Sequence, residues 1–194
     1  MNFGFLLFNG MEELDLVGPW EMITTWGAYA GGPDNCLMIA ETPEPVRCYN
    51  GMNVIPHATI DIAAKLDYLL VPGGMGTRKE VNYAALVDYV TAQEKTCKAI
   101  LSVCTGAFIL HAAGLLHGKR ATTHWMSLNR LKDLGDVEVV EERVVKDGKI
   151  WTSSGVSAGI DLALAFIKHE SGEDAAGKVQ ALTEYYPSGK KYGK

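Results

Sequence analysis

Short apolar runs alternate along this chain with longer segments of helical spacing, and this alternation constrains the fold more than any other feature. The runs FGFLLF, YLLV and AILSV are largely apolar, as are strands buried on both faces of a parallel sheet. Strands that alternate with helices predict an α/β fold in which helices cover both faces of a mostly parallel sheet. The predicted strands cover residues 3–8, 35–41, 67–74, 99–103, 121–124 and 137–142, and the predicted helices cover residues 16–31, 83–95, 105–113, 125–134, 157–170 and 173–184.

Turn-forming residues divide these elements. Pro19 is expected in the first turn of the helix over 16–31, where its missing backbone N–H is tolerated. Asn50-Gly51 predicts a hairpin or an irregular extension, and Asp147-Gly148 predicts a hairpin. Because no linker, repeat or low-complexity block interrupts the pattern, residues 1–194 are expected to form one domain.

Charge and cysteine content exclude several classes of protein. A net charge of -5 without a run of Lys or Arg argues against nucleic-acid binding, and the basic end SGKKYGK (188–194) is expected to be a solvated tail. The opening MNFGFLLFNG lacks a basic n-region and is too short to span a bilayer, so no membrane association is expected. The cysteines at 36, 48, 97 and 104 form no CxxC pair and no metal-ligand spacing. These features predict a cytoplasmic protein without a metal or another cofactor.

Cys104 lies between a predicted strand and a predicted helix, in the stretch AILSVCTGAFILHAAG (99–114). The small residues Ser102 and Gly106, two positions away on either side, fit a nucleophile elbow, whose sharp turn crowds its neighbours. A thiol at a helix N-terminus faces free N–H groups and the positive end of the helix dipole, which favour the thiolate. A buried structural cysteine is the alternative, and the position on the turn favours a reactive thiol.

The segment PGGMGTR (72–78) follows another apolar strand. The amides of Gly73 and Gly74 are candidates for binding an oxyanion or a similar developing charge, although a flexible turn is the simpler alternative. Arg78 is expected either to bind an anionic substrate or to cap a helix, and the structural role is favoured.

Asp15 and His124 are the remaining candidates near Cys104. Asp15 fits an ordinary helix N-cap. If it faces Cys104 instead, a nearby thiolate would raise the pKa of the carboxyl and leave a neutral acid that donates a hydrogen bond to sulfur. His124 would either complete a Cys–His arrangement or satisfy a packed loop, and the second role is favoured.

The block SVCTGAFILHAAGLLHGKRATTHW (102–125) resembles the ThiJ/PfpI (DJ-one) superfamily, most closely the branch of isocyanide hydratases and of the sensor domains of AraC-type regulators. ELDLVGP, VPGGMGTR, ERVVKDG, SAGIDLAL and VQALTEYYP extend the resemblance over almost the whole chain. It implies a flavodoxin-like α/β sandwich, usually a homodimer. The implied nucleophile is Cys104 and its acidic partner is Asp15, with Thr105 and the Gly74 amide beside them.

Thr105 separates this chain from the protease-like branch of the superfamily, in which a histidine follows the cysteine. The resemblance therefore predicts a hydratase, a carbon–nitrogen lyase, that adds water to an isocyanide and gives an N-formamide through a Cys104 thioimidate. Glyoxalase-type conversion of small dicarbonyls and non-catalytic sensing of a ligand or of oxidation are the alternatives. The expected partners are a small electrophilic substrate and a second copy of the chain.

Overall fold

A seven-stranded sheet forms the centre of the computed structural model, which describes residues 1–187. The basic segment 188–194 lies outside these residues. The strands of the described chain are β1 (Asn2–Leu6), β2 (Asn35–Ala40), β3 (Val46–Arg47), β4 (Asn53–Val54), β5 (Ala58–Thr59), β6 (Tyr68–Val71), β7 (Ala99–Val103), β8 (Arg120–Ala121), β9 (Glu138–Val139), β10 (Val144–Asp147) and β11 (Ile150–Ser153).

The order across the sheet is β10-β11-β7-β6-β1-β2-β5. All of its neighbouring strands run parallel except β10 and β11, which form the predicted hairpin around Asp147-Gly148. Every residue of β6 and β7 is buried, as the apolar runs predict for strands covered on both faces. The mostly parallel sheet expected from the sequence is therefore confirmed.

The α-helices of residues 1–187 are α1 (Glu13–Tyr29), α2 (Thr77–Glu80), α3 (Ala84–Glu94), α4 (Gly106–Ala112), α5 (Leu128–Lys132), α6 (Ala158–Ser171) and α7 (Glu173–Leu182). Six of them cover the sheet in two layers, and α5 packs against β9. Helices α1, α6 and α7 pack against one another on one side, and α2 and α3 both contact α4 on the other. Phe166 of α6 packs on the sheet, with its ring centre 5.1 Å from that of Tyr68 and 5.6 Å from that of Trp151.

Three predictions about local structure are wrong. The predicted strand 121–124 is only the short β8, which pairs with β9 in a separate small sheet. The predicted strand 137–142 shortens likewise to β9. Helix α1 begins at Glu13 rather than at residue 16, so Pro19 lies in its interior and not in its first turn. The hairpin expected at Asn50-Gly51 forms from the two-residue strands β3 and β4.

The turn from β7 into α4 fits against β6 because residue 106 has no side chain. A Cβ placed on Gly106 would lie 2.4 Å from the carbonyl oxygen of Val71 and 2.8 Å from that of Pro72. Backbone atoms of a central strand cannot move away without disturbing the sheet. The small residue predicted for the elbow is therefore what allows α4 to start directly beside the end of β6.

We expect Gly106→Ala to lower the free energy of unfolding by about 1–3 kcal/mol, the usual cost of overpacking an interior. Urea denaturation measures this change. Gly177→Ala is the matched control, since Gly177 lies in α7 with nothing within 4 Å of an added Cβ. It should stabilise the protein by about 0.5–1 kcal/mol. Equal stability of Gly106→Ala and the wild type would contradict this view of the elbow.

Candidate active site

Three loops meet where β1, β6 and β7 end, at the carboxyl edge of the sheet. The chain order reverses between β1 and β6, and such a switch point is where open α/β sheets bind ligands. The loops are joined by hydrogen bonds from Glu12 N to Gly73 O (2.9 Å) and from Gly76 N to Gly10 O (2.9 Å). A cavity of about 290 Å³ opens there, lined by Glu12, Tyr49, Gly74, Met75, Arg78, Cys104, Thr105, His124, Met126, Ser127 and Val156.

Cys104 occupies the turn between β7 and α4 with a φ of 56°, in the left-handed region that non-glycine residues rarely adopt. Its N–H donates to the carbonyl oxygens of Ser153 and Ser154, both at 3.2 Å. Its own carbonyl accepts a 2.7 Å bond from the Thr123 hydroxyl. These bonds hold a strained conformation that aims the thiol into the cavity, which is the geometry predicted for a nucleophile elbow.

Asp15 lies beside the Cys104 thiol, as one of its two sequence interpretations expects. It is the third residue of α1 and is completely buried. Oδ2 accepts a 2.8 Å hydrogen bond from the amide of Gly73. Oδ1 has no partner of regular hydrogen-bond geometry among residues 1–187, and the Cys104 thiol is close enough to lower the pKa of the carboxyl. Asp15 is therefore not a cap, and one of its oxygens remains free to hold a proton.

Burial raises the pKa of Asp15 to about 8, and the neighbouring charge of Glu12 acts in the same direction. The Gly73 amide and the Cys104 thiol oppose this shift without overcoming it. The neutral acid predicted from the sequence agrees with this result, but its cause differs. The prediction invoked a nearby thiolate, whereas removal of the carboxyl from water is the dominant effect.

The pKa of the Cys104 thiol is raised to about 12, first by burial and then by the charge of Asp15. The backbone N–H groups of Thr105 and Val156 act in the opposite direction. The helix N-terminus does favour the thiolate through the Thr105 amide, as expected, but burial outweighs this effect, because only 6% of Cys104 is exposed. Both shifts favour the protonated forms, the thiol of Cys104 and the carboxylic acid of Asp15.

The two glycine amides do not serve as free oxyanion donors. The Gly73 N–H is bonded to Asp15, and the Gly74 N–H donates a 2.9 Å bond to the hydroxyl of Thr105. The same hydroxyl donates back to the Gly74 carbonyl at 3.1 Å. A Cβ on Gly73 would lie 2.5 Å from the Thr105 amide nitrogen, so this position requires glycine. Gly73, Gly74 and Thr105 thus fix the elbow, and the donors near sulfur are the amides of residues 105 and 156.

Arg78 and His124 both line the cavity. Arg78 lies in the short helix α2, and its Nη1 is 2.7 Å from the sulfur of Met75. It therefore forms part of the cavity wall. His124 precedes a 3-10 turn over Trp125–Ser127, where its Nδ1 accepts from the Met126 amide at 3.3 Å. Its ring also packs on Gly155, which agrees with the favoured role in a packed loop.

Several cavity residues escaped the sequence analysis. Val156 is the most informative, since its φ of 52° is unusual for a β-branched residue and its N–H faces both Cys104 and Asp15. The only signal was the run of small residues in SSGVSAG after β11, a run that fits any tight turn. The other residues that were not predicted are Glu12, Tyr49, Met75, Met126 and Ser127.

Residues 1–187 contain no group of three His, Cys, Asp or Glu side chains arranged to hold a metal ion. Over the same residues, no helix combines the length and the apolar character needed to cross a bilayer.

Comparison with known proteins identifies the relatives of this fold and this elbow. Residues 2–169 match the DJ-1/PfpI family. The chain belongs to the DJ-1/PfpI family. It is 38% identical to an isonitrile hydratase of Pseudomonas putida over 189 residues, which cover 97% of this chain and 80% of that protein. The resemblance noted from the sequence is thereby confirmed.

The chain is also similar to a transcriptional regulator and to solved structures of two other proteins. The HTH-type transcriptional regulator CdhR of Pseudomonas aeruginosa is 28% identical over 92% of this chain, which spans about half (53%) of that regulator. A ThiJ/PfpI family protein from Pseudomonas syringae superposes with a TM-score of 0.88 at 33% identity, covering 96% of this chain and 76% of the other. DJ-1beta of Drosophila melanogaster has the same fold, with a TM-score of 0.83 at 20% identity over 96% of this chain and 98% of its own.

The raised pKa of Asp15 predicts a pH-dependent difference in stability between the wild type and Asp15→Asn. The folded-state pKa of about 8 lies above the ordinary value of 3.8. Between pH 3.8 and pH 8 the folded chain therefore keeps a proton on Asp15 that the unfolded chain has lost. Folding of the wild type therefore becomes less favourable as pH rises through this window. The neutral amide of the variant does not titrate. We expect the free energy of unfolding of Asp15→Asn to rise relative to that of the wild type by at most about 1.4 kcal/mol per pH unit, up to pH 8.

Urea denaturation between pH 5 and pH 9 measures this difference. Asp67→Asn is the matched control, because hydrogen bonding to the Asn2 amide lowers the pKa of Asp67 and leaves it ionised throughout this range. The difference in free energy of unfolding between Asp67→Asn and the wild type should not change with pH. A constant difference for Asp15→Asn as well would show that its carboxyl is already ionised at neutral pH.

Thr105→Val tests the reciprocal bonds between the Thr105 hydroxyl and Gly74. The substitution keeps the shape of the side chain but leaves the Gly74 amide without its acceptor, so we expect a loss of about 1–3 kcal/mol in the free energy of unfolding. Thr105→Ser retains the hydroxyl and should recover most of the loss. If the two variants unfold at the same urea concentration, the hydroxyl does not stabilise the elbow.

Proposed function

We propose that this DJ-1/PfpI protein adds water to an isocyanide and releases an N-formamide. The observation that carries the proposal is the Cys104 thiol beside the buried Asp15 carboxyl, whose pKa is raised by burial, at the base of a cavity of about 290 Å³. The pair offers a nucleophile and an acid in one place, as addition to a terminal isocyanide carbon requires. The 38% identity to an isonitrile hydratase supports the same assignment.

The first step adds the elements of the thiol to the terminal carbon. The sulfur of Cys104 forms a bond to that carbon, and the carbon takes up one proton, which gives a thioimidate, R–N=CH–S–Cys. Asp15 supplies this proton from its carboxyl and regains one from the thiol, so the total number of protons at the site does not change. Sulfur loses its proton as the substrate carbon gains one, so no separate thiolate has to form first.

The second step hydrolyses the thioimidate. Water adds to the same carbon, the nitrogen is protonated, and the carbon–sulfur bond breaks to give R–NH–CHO and the free thiol. The amides of Thr105 and Val156 point at the sulfur and stabilise the negative charge it carries as the leaving group. The sum of both steps is one isocyanide and one water giving one formamide, without a metal or an organic cofactor.

The test is turnover of methyl isocyanoacetate, with the formamide product followed by NMR. We expect Cys104→Ala to lower kcat by at least about a thousandfold, as loss of a nucleophile usually does. Cys97→Ala is the matched control, since Cys97 is also buried but donates to the Leu66 carbonyl, away from the cavity. Undiminished turnover in Cys104→Ala would contradict the mechanism.

The alternative activities are assayed with the same preparations. Formation of lactate from methylglyoxal without isocyanide turnover would favour the glyoxalase-type reaction. Oxidation of Cys104 by dilute peroxide, with no turnover of either substrate, would favour a sensing role related to that of the regulators. The expected homodimer, the single domain and the cytoplasmic location stay predictions.

A further inference from the structure

Arg78 lines the Cys104 cavity, and the charge of a second arginine, Arg130, interacts with it from a neighbouring helix. Arg78 lines the cavity from α2. Arg130, in α5, places its guanidinium 4.0 Å above the ring of Phe108, which belongs to the first turns of α4. Arg130 therefore packs on α4 outside the cavity lining, close enough to Arg78 for the two charges to interact.

Neither arginine has a carboxylate partner in the part of the chain that the structure describes. The arginine ion pairs there are those of Arg120 with Glu138 and Glu142 and of Arg143 with Asp161. The polar contact of Arg78 is the sulfur of Met75, and Arg130 rests on an aromatic face. Burial lowers the pKa of Arg130, and the charge of Arg78 lowers it further, so the two cations repel each other.

The opposite charge in the cavity lies on a different loop. Glu12 follows β1 and raises the pKa of Asp15 through its charge, so it belongs to the reacting end of the site. Its carboxyl also accepts a 3.3 Å bond from the side chain of Asn50. The cavity lining therefore contains one acidic side chain, Glu12, beside Asp15, and one arginine, Arg78, from the segment after β6. Glu12 repels a negative group on a bound molecule, and Arg78 attracts it.

We propose that the natural substrate carries a carboxylate, which Arg78 binds with support from the charge of Arg130 while the electrophilic carbon meets the sulfur of Cys104. For the reaction proposed above, this inference names the substrate class as isocyanides bearing a carboxylate. Arg78 suits this role because a guanidinium binds a carboxylate through two parallel hydrogen bonds. Binding of the anion also relieves the repulsion between the two cations.

The first arm of the test does not depend on isocyanide chemistry. Iodoacetate and iodoacetamide both alkylate a thiol: a carbon–sulfur bond forms as iodide leaves, and the thiol proton passes to solvent. Iodoacetate carries a negative charge, whereas iodoacetamide is neutral. The second-order rate constants at Cys104 are measured by peptide mass spectrometry. We expect the iodoacetate-to-iodoacetamide ratio to fall about ten- to a hundredfold in Arg78→Met, the range of a charge-assisted hydrogen bond, and further in Arg78→Met/Arg130→Met.

Lys79→Met is the matched control, since Lys79 is an exposed cation next to Arg78 that does not line this cavity. Its ratio should equal that of the wild type. An unchanged ratio in Arg78→Met, an equal fall in Lys79→Met, or failure of iodoacetate to modify Cys104 would each overturn the proposal.

The second arm compares isocyanoacetate with its methyl ester as substrates. We expect the ratio of kcat/KM for the acid to that for the ester to fall by a similar factor in Arg78→Met. If neither isocyanide is hydrated but the alkylation ratio responds to Arg78, the hydratase function fails and the carboxylate site stands. If both isocyanides are hydrated and the acid-to-ester ratio of kcat/KM is the same in Arg78→Met as in the wild type, the hydratase function stands and the carboxylate site fails.

Discussion

A carboxyl group removed from water, Asp15, is the constraint on which the rest of the site depends. Its hydrogen bond from the Gly73 amide joins the first turn of α1 to the loop after β6. Its burial keeps it protonated at neutral pH and places an acid directly beside Cys104. An ionised carboxylate there would oppose any negative charge on sulfur, whereas a neutral acid can give its proton to a substrate. One buried group therefore holds two loops together and sets the chemistry of the thiol.

The elbow itself is a strained structure that its surroundings hold in place. Cys104 and Val156 both adopt positive φ angles, and their amides lie next to each other at the cavity. Hydrogen bonds from the Cys104 N–H to the carbonyls of Ser153 and Ser154, and from the Thr123 hydroxyl to the Cys104 carbonyl, hold this conformation. The close approach of Gly106 to β6 leaves the turn no room to relax. Strain of this kind persists only where packing over-determines it. The rigid sheet therefore positions the thiol, and α4 contributes less through its dipole than through its contact with β6.

The sequence predicts the parallel sheet, the two hairpins, the elbow and the cysteine, because each of these depends on local patterns of apolar, small and turn-forming residues. It also suggests that Asp15 could face Cys104. The thiol pKa could not be predicted, since the burial of Cys104 comes from segments far apart in the chain. The engagement of the Gly73 and Gly74 amides likewise depends on where Asp15 and Thr105 lie after folding. β8 and β9 are shorter than expected because they pair only with each other, outside the main sheet.

The residues of the cavity wall differ in solvent exposure from those at its base. Met75, Arg78, Met126 and Tyr49 are exposed and come from three segments, whereas Cys104 and Thr105 in the elbow and Asp15 in α1 are buried. Exposed side chains can usually be exchanged with little effect on folding, and interior ones cannot. The exposed residues of the cavity wall can therefore change during evolution without disturbing the buried groups that react. Proteins with the same elbow can in this way come to bind different molecules.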